Sequence, residues 1–471
     1  MLVLEGTFIT TDISKNLFFY KEVLPIGNAS KEAEVAVVNI FDKIEYQEIL
    51  GFGGAFTESS AYNYSLLTDE NKKRFMEMYF DREKGIGYNF GRTHINSCDF
   101  SLDIYSYVKK GDKILETFDI SRDKKYIIPF IKDTLHYCND ELVLFSSPWS
   151  PPEYMKDNQS VIGGGKLLED YKKVWALYYA KYIKAFADNE IKISALSVQN
   201  EPMAKQTWES CNYSAQEEKE FLEKYLIPTL NKENLSDVKI ILWDHNKERI
   251  YDRTEEILKD NKELSDRIWA VGHHWYTGNH FDGLRLVHEQ FGKPLICTEF
   301  CCSLADDLIQ SAERYAKEIC GNFNNFEIAS CDWNLLLNDK GGPFHNRSKT
   351  TVAVPGVVFD DVSGGCLAPV LRNSETNELI FTPIYYYIGH FSKYLKRGAK
   401  RIAITRYTDA LDVCAFRNPN GDIVCVLLNS SNLNLPVNIR IKDTVTEIQI
   451  NAHTIKTFLL TESITGESYE T

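Results

Sequence analysis

Between Ile49 and Leu336, short apolar runs alternate with longer stretches whose apolar residues recur every three or four positions. The runs are Ile49 to Phe56, Tyr88 to Ile95, Leu142 to Ser147, Ile193 to Gln199, Lys239 to Trp243, Ile268 to Trp275, Pro294 to Thr298 and Ile328 to Leu336. Runs of this length, apolar throughout, read as strands buried on both faces, which is the mark of parallel sheets. The stretches between them, such as Asp69 to Phe80, Lys124 to Cys138, Leu167 to Ala187, Ala215 to Leu230 and Leu304 to Cys320, read as helices. A closing helix is predicted over Thr382 to Leu395. Eight strand–helix repeats fit an α/β fold, a (β/α)8 barrel with insertions.

After Lys400 the period falls to two, in Ile402 to Thr405, Val413 to Arg417, Ile423 to Asn429, Val437 to Ile441, Ile448 to Ile450 and Thr457 to Leu460. Asn418-Pro-Asn-Gly421 supplies a hairpin turn between two of these. Close-set alternating strands predict a β-sandwich side domain. Residues 1–40 also alternate, as in Thr7 to Thr10 and Ala33 to Asn39, and are expected to add strands to it. The expected domains are therefore 1–40 with the sandwich, 41–396 as barrel and 397–471 as sandwich. Gly163-Gly-Gly165 lacks the Lys-Ser/Thr ending of a phosphate loop.

The 471 residues carry a formal charge of −14, which argues against nucleic acid or an anionic membrane as partner. No apolar run approaches the roughly 18 residues of a membrane span. Met1-Leu-Val-Leu4 is interrupted by Glu5, so no signal-peptide core is read there, and a cytoplasmic location is expected. Eleven cysteines, with no Cys-x-x-Cys pair, read as reduced thiols. The histidines show no metal-ligand spacing; His273 and His274 should point to opposite faces of one strand. No metal and no cofactor are expected. Aromatics at 13% would suit a site that stacks sugar rings, although most will fill the core.

In such a barrel, chemistry gathers where the strands end. Those ends carry Arg92-Thr-His-Ile-Asn-Ser-Cys-Asp-Phe100, Ser146-Ser-Pro-Trp-Ser-Pro151, Asn200-Glu201-Pro202, His274-Trp-Tyr276, Glu299 and Trp333-Asn334. Most of the 67 acidic residues are solvated surface. Glu201 and Glu299 differ: each ends a buried strand and precedes a polar or aromatic loop. Two carboxyls delivered to one rim are the minimal equipment for cleaving a glycosidic bond.

Six short motifs occur in order: Ser97-Cys-Asp-Phe100, Ser147-Pro-Trp-Ser-Pro-Pro152, Gln199-Asn-Glu-Pro202, His274-Trp-Tyr276, Thr298-Glu-Phe300 and Trp333-Asn-Leu335. With them, nearly the whole chain resembles glycoside hydrolase family 30, the glucosylceramidase-like enzymes of the large retaining (β/α)8 clan. The resemblance implies that Glu201 is the general acid/base, with a raised pKa. It implies that Glu299 is the nucleophile, held ionised by Arg92 and Tyr276. Asn200 then matches the donor to the sugar 2-hydroxyl, while Asp99, Trp149 and Trp333 match the lining of the terminal-sugar pocket. His274 joins this set as a strand-end residue. A core role competes for Trp149, and a purely structural ion pair competes for Arg92.

Arg92-Thr-His-Ile-Asn96 replaces the more apolar Arg-Val-Pro-Met-Ala of the glucosylceramidase branch, Cys301-Cys302 follow the nucleophile position, and Gly341-Gly-Pro-Phe-His-Asn-Arg347 diverges after Gly-Gly-Pro. A ceramide preference is therefore not carried over. The expectation is a retaining, exo-acting β-glycosidase of the β-glucosidase type, acting on small β-glycosides or oligosaccharides. The alternatives are a β-1,6-glucanase, β-xylosidase or β-fucosidase of the same family, or a non-catalytic carbohydrate-binding protein.

Overall fold

A computed structural model describes residues 4–28, 34–138, 142–345 and 365–461. Ala33, Asn346 and Arg347, used in the sequence reading, lie outside the described residues. Two compact units make up the chain. One comprises Phe52–Asp307 and Asn325–Thr382, the other Met1–Gly51, Leu308–Asn324 and Pro383–Thr471.

The first unit is built on a closed ring of eight strands. In chain order they are Gly51–Ala55, Phe90–Ile95, Val143–Pro148, Ile193–Ser197, Lys239–Asn246, Ile268–His274, Leu295–Glu299 and Glu327–Asn334. Neighbouring strands run parallel. All eight expected strands are present, displaced by a few residues at their ends. Gly53 lets the first two strands close up, since a Cβ there would stand 1.4 Å from the Phe90 carbonyl oxygen. The expected helices form where the apolar period allowed. Asp69–Phe80 starts on a Thr68 cap that accepts from Asn71 N, and Lys172–Ala187 buries Trp175, Tyr178, Tyr179, Tyr182 and Phe186 against the sheet side.

Of the register shifts in the barrel, two flank His274. One lies between Cys297 and Glu299 and sets Glu299 opposite His274. The other lies between Trp243 and His245, where Trp243 (φ 75°) and Asp244 (φ 59°) occupy the left-handed region. An extra residue in a strand breaks its inside–outside alternation and re-aims the side chains that follow.

The second unit is the β-sandwich, all of whose strands join one closed ring. The hydrogen-bonded order is Leu4–Asp12, Leu17–Asn28, Thr444–Ile450, Leu435–Ile441, Val37–Glu48, Lys400–Thr405, Leu411–Arg417, Ile423–Asn429 and Thr454–Leu460. The N-terminal segments thus supply strands to this ring. Period-two burial is plain in Leu435–Ile441. Its inward residues join Phe8, Val38, Val413, Leu427 and Phe458 in one aliphatic and aromatic core. The helices Leu308–Asn324 and Pro383–Ser392 belong to this unit. No helix among the described residues is long and apolar enough to cross a membrane.

Candidate active site

Arg92 is the hub of the strand ends. Its side chain is fully buried, and each of its five N–H donors finds an acceptor. Nη1 donates to Glu299 Oε2 at 3.0 Å and to the Thr298 carbonyl at 3.1 Å. Nη2 donates to Asp244 Oδ2 at 2.8 Å and Asn200 Oδ1 at 2.9 Å, and Nε to Ser147 Oγ at 3.2 Å. The guanidinium also lies 4.7 Å from the Trp149 ring centre and 5.6 Å from that of Trp333. Four of the expected site residues, Glu299, Asn200, Trp149 and Trp333, therefore converge on this one side chain by hydrogen bond or ring contact.

Glu299 is buried and receives a second donor, Tyr276 Oη, on Oε1 at 2.9 Å. His274 Nδ1 lies 3.3 Å from Glu201 Oε1 and 4.0 Å from Glu299 Oε1, so the two carboxyls approach one imidazole nitrogen. Glu201 sits at φ 47°, a conformation uncommon for glutamate, and its backbone N–H donates to the Asp244 carbonyl at 3.0 Å. Gln206 Nε2 reaches its Oε2 at 3.4 Å. Trp149 and Trp333 stack with centroids 5.1 Å apart, and Phe100 meets Trp333 edge-on. Asp99, beside Phe100, is buried in the loop after the second strand; its carbonyl accepts from His345 N–H at 3.1 Å.

Asp244 was not anticipated from the sequence. The expected strand stopped at Trp243, one residue short. Its Oδ2 accepts from Arg92, from Ser147 Oγ at 2.9 Å and from Ser197 Oγ at 2.5 Å, while Oδ1 meets His274 Nε2 at 3.0 Å. Burial opposes its charge, yet Arg92 and His274 hold the carboxyl well below the usual range. His274 responds in the other direction. Burial alone would lower it, but Glu299, Asp244 and Glu201 together push it up to about 9. An imidazolium thus sits between the acids.

The charge on the glutamates departs from expectation. Burial raises both. For Glu201 the hydrogen bond from His274 and the charges of His245 and His274 outweigh burial and bring it down to about 2. Glu299 ends raised, because burial and the negative Glu201 exceed the pull of His274, Arg92 and Tyr276. The expected order, Glu201 raised and Glu299 low, is thus reversed in this arrangement, for the reason that His274 stands closer to Glu201.

As to metals, His273, Cys297 and Glu327 place donor atoms within 4.8 Å of one another in the barrel wall, a grouping invisible to sequence spacing because it spans three strands. His273 faces Glu327 at 3.0 Å, and the Cys297 thiol donates to the Glu299 carbonyl at 3.7 Å. As expected of strand neighbours, His273 and His274 reach different partners.

A parallel barrel whose strand ends face two carboxyls, an arginine and stacked indoles defines a class: hydrolases that cleave bonds between sugars or between a sugar and an aglycone. Residues 49–395 match the glycosyl hydrolase family 30 TIM-barrel domain and residues 398–458 the family 30 beta sandwich domain. The chain belongs to glycosyl hydrolase family 30 and is a glycoside hydrolase; a retaining mechanism is typical of that family. It is 28% identical over 418 residues to the lysosomal acid glucosylceramidase of Mus musculus, covering 84% of this chain and 77% of that protein. The crystal structure of SrfJ from Salmonella typhimurium superposes with a TM-score of 0.90 at 30% identity, over 97% of this chain and 99% of that one. The endo-beta1,6-glucanase BT3312 superposes with a TM-score of 0.82 at 26% identity, over 98% and 100%.

Proposed function

We propose that the protein is an exo-acting β-glucosidase in which Glu299 is the nucleophile and Glu201 the general acid/base. One observation carries the assignment: two strong donors, Arg92 Nη1 and Tyr276 Oη, converge on Glu299, whereas among the described residues Glu201 has the longer contacts to His274, Gln206 and His245. Direct donors stabilise a carboxylate that must remain ionised until it bonds to the anomeric carbon. Glu201 must instead hold a proton when the leaving oxygen departs. His274 Nδ1, 3.3 Å from Glu201 Oε1, is the nearest donor; in the free site its proton stays on the imidazole, so bound substrate must favour the transfer, which leaves total charge unchanged. Arg92 and Tyr276 do not change in that step and hold Glu299 ionised. Asn200 has its carbonyl oxygen engaged by Arg92, which leaves its amide N–H2 as the donor towards a sugar hydroxyl. Trp149, Trp333 and Asp99 line the pocket for that sugar.

The likeness to an endo-beta1,6-glucanase over the full chain supports a second reading, internal cleavage of a β-1,6-glucan. Nitrophenyl β-glucoside against a β-1,6-glucan polymer separates the two. A cytoplasmic setting stays part of the proposal, supported by eleven cysteines that stand as thiols. The roles of the glutamates are tested by azide rescue. Glu299→Gly should turn over an aryl β-glucoside only with azide and give the inverted glycosyl azide. Glu201→Ala should accept azide after glycosylation of Glu299 and give the retained product. The opposite pairing of products would exchange the two roles.

A further inference from the structure

Beyond the carboxyl pair lies a second chemical group that the reaction does not use. Cys301, two residues after Glu299, has its Sγ 3.4 Å from Cys366 Sγ. The two come together because Cys302–Ser303 pairs antiparallel with Cys366–Leu367, with Ser303 opposite Cys366, so the thiols are diagonal neighbours. Cys366 is buried, while Cys301 is partly exposed. Tyr276 Oη is 3.5 Å from Cys301 Sγ and donates at 2.9 Å to Glu299 Oε1. The dithiol is therefore one hydroxyl away from the reacting carboxylate. A second thiol pair, Cys320 and Cys414, stands 3.6 Å apart in the sandwich unit, but both of its members are buried.

We propose that Cys301 and Cys366 are an oxidative modification site, closed to a disulfide by exchange with a low-molecular-weight disulfide such as oxidised glutathione, and that closure lowers turnover through Tyr276. The Cys301 thiolate attacks one sulfur of the small disulfide and releases one thiol. The Cys366 thiolate then attacks the Cys301 sulfur and releases the second. Two protein thiols lose two protons and two electrons, and one small disulfide becomes two thiols. A disulfide needs about 2.05 Å between sulfurs, so the pair must draw roughly 1.3 Å closer. That movement takes Cys301 Sγ from Tyr276 and disturbs the donor to Glu299. The hydrogen bond to Cys366, burial and the nearby Glu299 all hold the Cys301 thiol up, so the reaction should quicken as pH rises.

The effect on turnover rests on Glu299 being the nucleophile; the linkage itself does not. The full chain is incubated with excess oxidised glutathione at mildly alkaline pH, and unreduced peptides are mapped by mass spectrometry beside activity. The expected result is a Cys301–Cys366 linked peptide whose appearance parallels at least about a tenfold loss of kcat/KM, reversed by dithiothreitol. Cys366→Ala should keep full untreated activity and stop at a mixed disulfide on Cys301. Cys320→Ala should behave as wild type, and inactive Glu299→Gly should still form the link. Absence of the linked peptide, full linkage with unchanged kcat/KM, or inhibition that disappears in Cys320→Ala would each overturn the proposal.

Discussion

His274 and His390 are both fully buried, one at the strand ends of the barrel and the other in helix Pro383–Ser392 of the sandwich unit. Their surroundings drive them in opposite directions. His390 meets Thr457 Oγ1 at 2.8 Å and Thr11 Oγ1 at 2.9 Å, two neutral hydroxyls. Burial, aided by the positive Lys456, lowers it to about 3, so it stays uncharged. His274 meets Asp244 and Glu201 and rises to about 9. In the sandwich unit His390 is thus buried as a neutral ring held by two hydroxyls. The barrel mouth buries net charge, and Arg92 with its five acceptors keeps that arrangement in place. Buried charge is costly to hold, and it persists here where the chemistry needs acids and a base at close quarters.

Removing the hub should break this contrast most severely. Arg92→Met leaves Asp244 and Glu299 buried with His274 as their remaining cation, and breaking a buried pair costs about 3–5 kcal/mol. We expect at least about a hundredfold loss of kcat/KM as well, the scale for one pre-organised donor. Kinetics with urea unfolding would measure both; a variant of wild-type activity would show the arginine to be a structural tie only. On the other side of the comparison, Leu427→Ala in the sandwich core should cost about 2–5 kcal/mol, with kcat unchanged for the folded protein. A matching fall in kcat would deny that the units separate stability from chemistry.

The smallest effect sharpens the contrast between the histidines. His274, raised in the folded state, contributes stability that is full below its unfolded value near 6.5 and is lost as pH rises through about 9. His390, lowered in the folded state, contributes stability that is present above about 6.5 and lost as pH falls towards 3. Each can change the slope by at most one proton, about 1.4 kcal/mol per pH unit. Denaturation midpoints across pH should lose their alkaline slope in His274→Asn and their acid slope in His390→Asn. Unchanged slopes would mean that neither imidazole titrates with folding.

The eight strands and the sandwich were legible because periodicity reports which faces are buried, and parallel strands place their last residues on one rim. For that reason Glu201 and Glu299 could be named from strand ends, whereas the roles given to Arg92, Asn200, Tyr276 and Trp333 came from the resemblance to family 30. Asp244 could be named from neither. It follows a register shift, and an interrupted alternation hides which way a side chain points. The apolar run leading into Asp244-His245-Asn246 was the available signal, and it invited reading past Trp243.

What the sequence by itself determined is the layout: a parallel barrel, an alternating all-β unit, and two glutamates at the ends of buried strands. Local pattern suffices there, since burial period and strand direction are properties of short segments. Only the tertiary structure decided the charge on those glutamates and the neighbours of the cysteines. His274 stands 3.3 Å from one carboxyl and 4.0 Å from the other, and Cys301 meets Cys366 from 65 residues away. Electrostatic coupling and thiol proximity depend on distances of a few ångströms between residues remote in sequence, and those distances exist only once the strands have closed.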